Sequence, residues 1–181
     1  MIRSERCKMA LAACVALGLV ACKPDSEIVA AHDGEGAAET DDHAALAAAA
    51  LANSSRPDGE TADDEMRKPA DVLAFVGISP GMSVFEMEAG AGYYTELYSM
   101  IVGEDGEVIM QNPQSFDNFL GDAVEVRLAD GRLPNVRSSR TNFDSLDAGD
   151  GTMDLVTWIL GPHELYFTPA GGDSLGDVET T

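Results

Sequence analysis

Basic residues are scarce in this chain: 11 Lys and Arg stand against 32 Asp and Glu, giving a formal net charge of −21. A surface of that sign repels phosphate backbones and anionic lipid headgroups, which excludes nucleic acid as a direct partner. The acids are spread along the whole length, so they read as a solvated surface and not as an acidic binding face. Histidine is nearly as rare. His32 and His43 stand apart from any second cluster at metal-ligand spacing, so no metal site is expected and both should titrate in solvent. Aromatic residues make up 6% of the chain and are missing from residues 23–64, a stretch rich in Ala, Asp, Glu, Gly and Ser. Such a composition buries too little apolar surface to offset the entropy of ordering, so 23–64 is predicted to be a disordered acidic tether. Within it, Ala44 to Ala52 has high helix propensity, but an isolated helix under about 12 to 15 residues is marginal in water.

Cysteine occurs three times, at Cys7, Cys14 and Cys22. Residues 1–22 open with Arg3, Arg6 and Lys8 against Glu5 and continue into an uncharged apolar run from Met9 to Ala21, the layout of an export signal. A spanning helix needs roughly 20 apolar residues, so the run is too short to serve as one. Leu19-Val20-Ala21-Cys22 resembles the lipobox of bacterial lipoproteins. That resemblance implies cleavage before Cys22, lipidation of its sulfur, and a periplasmic-side location in the bacterial envelope, tethered to membrane by acyl chains. Cys7 and Cys14 would leave with the signal, so the mature chain has no disulfide framework.

The remaining residues, 65–181, are enough for one small domain without internal repeats. Pro69 opens a predicted short helix over Ala70 to Val76 that stops at Gly77. Val84 to Met87 reads as a first strand, Tyr93 to Val102 as a helix ending at Gly103, and Val108 to Met110 as a second strand. Phe116 to Leu120 is a candidate short helix. The alternation in Val124-Glu125-Val126-Arg127-Leu128 fits either strand or helix. Val136 to Ser139 is a short third strand, and Met153 to Leu160 is a β-branched, nearly continuous apolar fourth. Strands alternating with helices predict an α/β fold with a mostly parallel sheet of about four strands and right-handed crossovers.

The segment carrying most chemical information is Val84-Phe85-Glu86-Met87-Glu88-Ala89-Gly90-Ala91-Gly92, a strand running into a glycine turn and a helix start. Gly90 and Gly92 lack a Cβ, so main chain there can turn sharply and approach a ligand, with the free N–H groups of the next helix facing the same spot. Ligands of open α/β sheets bind at the carboxyl ends of the strands, where Glu86 lies. A dinucleotide fingerprint fits less well: Thr95 stands where the third glycine belongs, and Gln111-Asn112 where the ribose-binding acid belongs.

On these residues, together with Gly151-Thr152-Met153-Asp154-Leu155-Val156 and the lead-in Arg67-Lys68-Pro69 to Pro80-Gly81-Met82, the chain from about Arg56 to Phe167 resembles class I S-adenosylmethionine-dependent methyltransferases, in particular the exported bacterial group. The resemblance implies an incomplete Rossmann-like methyltransferase sheet with S-adenosyl-L-methionine as cofactor. It casts Glu86 as the acid near the methionine ammonium and Gly90 and Gly92 as glycines packed on the cofactor. Glu88 departs from the family's usual glycine and adds a carboxylate. Gln111 falls where an acid usually binds the ribose, Asn142 where the adenine is read, and Phe143 where a ring packs on adenine or in the core. His163 lies where substrate-contacting groups occur and is a candidate base for an unidentified methyl acceptor.

A complete sheet of that family has three further strands, so this chain is expected to hold a partial domain whose fourth strand is an edge open to a partner. S-adenosylmethionine is made in the cytosol, whereas an export signal leads out of it. A catalytically inactive cofactor-binding or protein-interaction remnant of the fold is therefore the alternative reading.

Overall fold

The computed structural model describes residues 35–168 and 174–176, with side chains from Asp42 onward. The export signal, Cys22 and His32 lie outside the described residues. The first element is a helix, α1, over Glu35–Leu51, followed by a short helix α2 (Asp64–Arg67) and by α3 (Pro69–Val76). Strand β1 (Ser83–Met87), helix α4 (Tyr93–Val102) and strand β2 (Glu107–Gln111) come next. Two short helices, α5 (Asp117–Leu120) and α6 (Ala123–Leu128), lead to β3 (Val136–Ser139) and β4 (Leu155–Trp158), and a 3-10 helix spans Pro162–Tyr166.

The four strands form one parallel sheet in the order β3-β2-β1-β4. The fold is therefore α/β, as the strand and helix alternation predicts. β1 lies between β2 and β4, pairing Phe85 with Ile109 on one side and with Val156 on the other. β4 sits at the border of the sheet and is four residues long, shorter than the apolar run Met153 to Leu160. On the sheet face it shares with Phe85, Val156 is 57% exposed.

Side chains on β1 alternate between two cores, as the period of two requires. Val84 enters a cluster with Leu73, Leu97, Tyr98 and Val108 under α1, α3 and α4, whereas Phe85 and Met87 join Ile109, Phe143 and Leu175 on the opposite face.

Residues 35–64 differ from the expected tether. α1 is 17 residues long, Ala47 is fully buried, Ala50 nearly so, and Leu46 and Leu51 pack on the same core. Alanine carries the lowest helix cost and lets neighbouring helices approach closely, so an aromatic-free segment can still dock once a helical partner is present. His43 is half-buried and shares a 3.1 Å hydrogen bond between Nε2 and the Ser79 hydroxyl, so its ring packs on the domain. Arg56, itself buried, grips Asp64 with two hydrogen bonds of 2.9 and 2.7 Å, so the segment after α1 is also held.

Residues 124–128 form part of helix α6. Val126 is 63% exposed and Arg127 is 7% exposed, the reverse of what the strand reading of their alternation implies.

Candidate functional site

The turn between β1 and α4 is built from main-chain conformations that favour glycine. Gly90 and Gly92 have φ of +60° and +87°, and Gly92 caps α4, accepting the amide of Glu96. Glu88 also has positive φ, at +53°, in the place where the resembled family has glycine. Three side chains hold that strained turn in shape. Gln111 Oε1 accepts the Glu88 amide at 2.9 Å, Asn112 exchanges hydrogen bonds with both the amide and the carbonyl of Gly90, and Arg127 Nε donates to the Ala91 carbonyl at 2.9 Å.

Against this turn lies a cavity of about 570 Å³. It is lined by Glu88, Ala89, Gly90 and Ala91 of the turn, by the charged Glu60, Asp63, Arg67 and Arg127, and by the apolar Phe119, Leu120, Ile159 and Leu160. A Cβ added to Gly90 would meet nothing within 4 Å, so the turn is open towards the cavity there. A Cβ on Gly92 would lie 3.0 Å from Met110 and 3.1 Å from Arg127, so that glycine makes room for protein.

Glu88 is the predicted acid that reaches the cavity. Its Oε2 accepts the Trp158 indole N–H at 2.9 Å, and burial pushes its carboxyl above the usual range against that hydrogen bond. Glu86 sits elsewhere. It shares the parity of Val84 and therefore points under α4, where the Thr95 hydroxyl donates to it at 2.5 Å and the residue is 4% exposed. Burial pushes its carboxyl up to about 8, opposed by Thr95 and by the charge of Arg127. Glu86 is not among the residues lining the cavity, which corrects the expectation that it faces the cofactor cleft.

Gln111 is fully buried, and its amide is consumed within the protein: Oε1 on Glu88 and Nε2 donating to the Thr141 carbonyl at 2.6 Å. In the structure it braces the turn against the segment after β3. Phe143 is 1% exposed and packs 4.7 Å from Trp158, centroid to centroid, in the second core. With Phe85 and Val156 it borders a separate cavity of about 430 Å³ on that face. Asn142 is exposed and lines neither cavity. His163 rides on the 3-10 helix with its side chain 73% exposed, its Nε2 3.2 Å from Glu164, and also lines neither.

Arg127 was missed in the sequence because its alternating neighbours mask the helical i, i+4 relation that puts Ala123 and Arg127 together at the cavity. It is the centre of a buried ion cluster. Its guanidinium donates to Glu96 Oε2 at 2.8 Å and to Glu60, while Arg132 pairs with the same fully buried Glu96. Burial works against the Arg127 charge, but the hydrogen bonds to Glu60 and Glu96 outweigh it and hold its pKa above the ordinary value. Tyr93, the first residue of α4, donates to Asp64 at 2.5 Å and carries the Arg67 guanidinium 4.6 Å over its ring.

No family model matches the chain. Over 85 residues it is 32% identical to the Ubiquinone/menaquinone biosynthesis C-methyltransferase UbiE of Shewanella pealeana, and equally to that of Shewanella piezotolerans. Each alignment covers 47% of this chain and 33% of the relative, so the chain spans about a third of the length of the curated relatives it matches. Among solved structures, a SAM dependent methyltransferase from Aquifex aeolicus is 26% identical, with a TM-score of 0.47, covering 54% of this chain and 50% of that one.

Proposed function

We propose that this chain is a class I methyltransferase-like protein that binds S-adenosylmethionine against the turn of residues 88–91. The observation that carries the reading is the cavity of about 570 Å³ over the open side of Gly90, at the carboxyl end of β1 and beside the first turn of α4. Its volume lies within the range of small-molecule sites, roughly 300 to 1,000 Å³. The 32% identity to UbiE C-methyltransferases supports the same reading.

The residues present fit a cationic cofactor at this place. Of the three carboxylates that line the cavity, Glu60 is paired with Arg127 and Asp63 with Arg67, which leaves Glu88 as the lining carboxylate without a guanidinium partner. Glu88 and the Gly90 main chain would hold the ligand, and the apolar Leu120 and Ile159 would exclude water from its flank. The bound cofactor supplies a methyl group on a sulfonium, whose leaving group makes transfer favourable without help. The protein's task is then to orient an acceptor in line with it. The carboxylate that usually reads the ribose is absent, and Gln111 and Asn112 spend their amides on the turn and on the Thr141 carbonyl. Recognition of the ribose would fall to main chain at 88–91.

Thermal unfolding with S-adenosylhomocysteine and with NAD tests this. A rise in melting temperature with the first and none with the second is expected, and the reverse would reject the reading. Gly90→Val puts bulk on the open side of the turn at a left-handed φ. Calorimetry should then show S-adenosylhomocysteine affinity reduced at least tenfold; undiminished affinity would place the ligand elsewhere.

A further inference from the structure

The two glycines of the turn have separate duties. Gly90 opens on the cavity, whereas the space above Gly92 is taken by Arg127, whose Nε and Cγ would lie 3.1 and 3.3 Å from a Cβ added there. Between them stands Ala91, and Arg127 Nε holds its carbonyl at 2.9 Å. The same guanidinium is fixed from two other directions: Glu96 on α4 accepts Nη1 at 2.8 Å, and Glu60 accepts Nη2. Glu60 belongs to the strap of residues 52–68, which is latched independently where Arg56 and Tyr93 both donate to Asp64. One buried side chain thus joins the turn, the helix that follows it and the strap beside the cavity.

We propose that Arg127 is a positioning residue that holds the turn at Ala91 in its ligand-receptive shape and makes that shape depend on docking of the strap through Glu60. Its bearing on a ligand rests on the cofactor reading given above; its bearing on the turn does not. A guanidinium suits the task because its planar fork reaches a carbonyl and two carboxylates at once, and an ammonium has no equivalent reach. Removing it would leave Glu96 with Arg132 alone and Ala91 without its side-chain partner, so the glycine turn would relax.

The test uses the full-length chain with glycine-selective nitrogen labelling, so that the Gly90 and Gly92 amide resonances report the turn in the absence of ligand. Arg127→Met is expected to shift both, and Glu60→Gln to shift both in the same direction by less. Binding of S-adenosylhomocysteine, measured well below either melting temperature, should weaken at least tenfold in Arg127→Met. In Glu60→Gln it should weaken about two- to fivefold. Unmoved resonances in Arg127→Met, or an affinity within twofold of the parent, would overturn the positioning role; an unmoved turn in Glu60→Gln would overturn the link to the strap. If Arg127→Met does not fold, Arg127→Lys, which keeps the charge and loses the fork, takes its place with the same expected shifts. Should the parent chain fail to bind S-adenosylhomocysteine, the methyltransferase reading falls, and the glycine resonances still decide what Arg127 does.

Discussion

On β1 the side chains of Val84 and Glu86 enter a face covered by three helices, whereas those of Phe85 and Met87 enter a face covered mainly by the loop that follows β3. The first face is close-packed: Leu73, Val84, Leu97, Tyr98 and Val108 have no exposed surface. The second keeps a cavity of about 430 Å³ between Phe85, Phe143 and Val156. Helices present continuous ridges that fill the grooves of a sheet, and a loop rich in Asp, Gly and Ser cannot. The same four strands thus have one face where any added charge or volume is costly and another with room to spare. A ligand turn gains from this arrangement, because α4 is anchored on the rigid face and fixes the geometry of Gly92 from below.

The largest expected difference between the faces lies at Glu86, a carboxyl placed on the close-packed side. Its pKa of about 8 in the folded chain exceeds the ordinary 4.5, so the folded state holds the proton more tightly than the unfolded one. The stability this contributes is complete below about pH 4.5 and is lost as pH rises through about 8. At about 1.4 kcal/mol per pH unit, the parent chain should lose roughly 3 kcal/mol relative to Glu86→Gln between pH 4.5 and 7. Urea unfolding of both proteins across that range measures the difference. Curves that stay parallel would mean that Glu86 reaches solvent, and the close packing of this face would lose its best chemical witness.

Ala47 probes the outermost layer of the same face. It is fully buried where α1 meets the core, and Ala47→Asp would place a carboxylate without a partner there. A loss of at least about 2 kcal/mol is expected from the charge and the overfilled space together. The measurement is a denaturant midpoint, and a variant as stable as the parent would return residues 35–51 to the status of a tether.

How far the sequence reveals this architecture follows from where the signal is local. The strand, turn and helix of residues 83–102 are adjacent in sequence, and each carries its own mark: apolar run, glycines at 90 and 92, helix stop at Gly103. Their structure follows the reading closely. Docking of α1 was not legible, because buried alanines and solvated alanines look alike until a partner helix is known. Nor was the direction of Glu86. Its place at the strand's end suggested the cleft, but two-residue parity ties it to Val84 and sends it under α4. The work of Gln111 was hidden for a related reason. An amide at a strand end can serve a ligand or the protein's own main chain, and only the positions of Glu88 and Thr141 decide between them.

The smallest effect is expected at the sheet border on the loop-covered face. Val156 pairs with Phe85 in register, borders the cavity of about 430 Å³, and is 57% exposed. Val156→Lys exchanges a half-solvated methyl pair for a long side chain whose stem can lie along Phe85 while its ammonium reaches water. The neighbouring Thr157, 5% exposed and on the helix-covered side, offers no such escape. The Val156 change should therefore cost within about 0.5 kcal/mol, as surface substitutions do, and a lysine on an open edge should reduce any tendency of β4 to pair with another chain. Denaturant midpoints and sedimentation of the parent and the variant give the two readings. A loss of about 2 kcal/mol or more would show that the border of β4 is covered in solution, and the contrast between a filled and an open face would then end at β1.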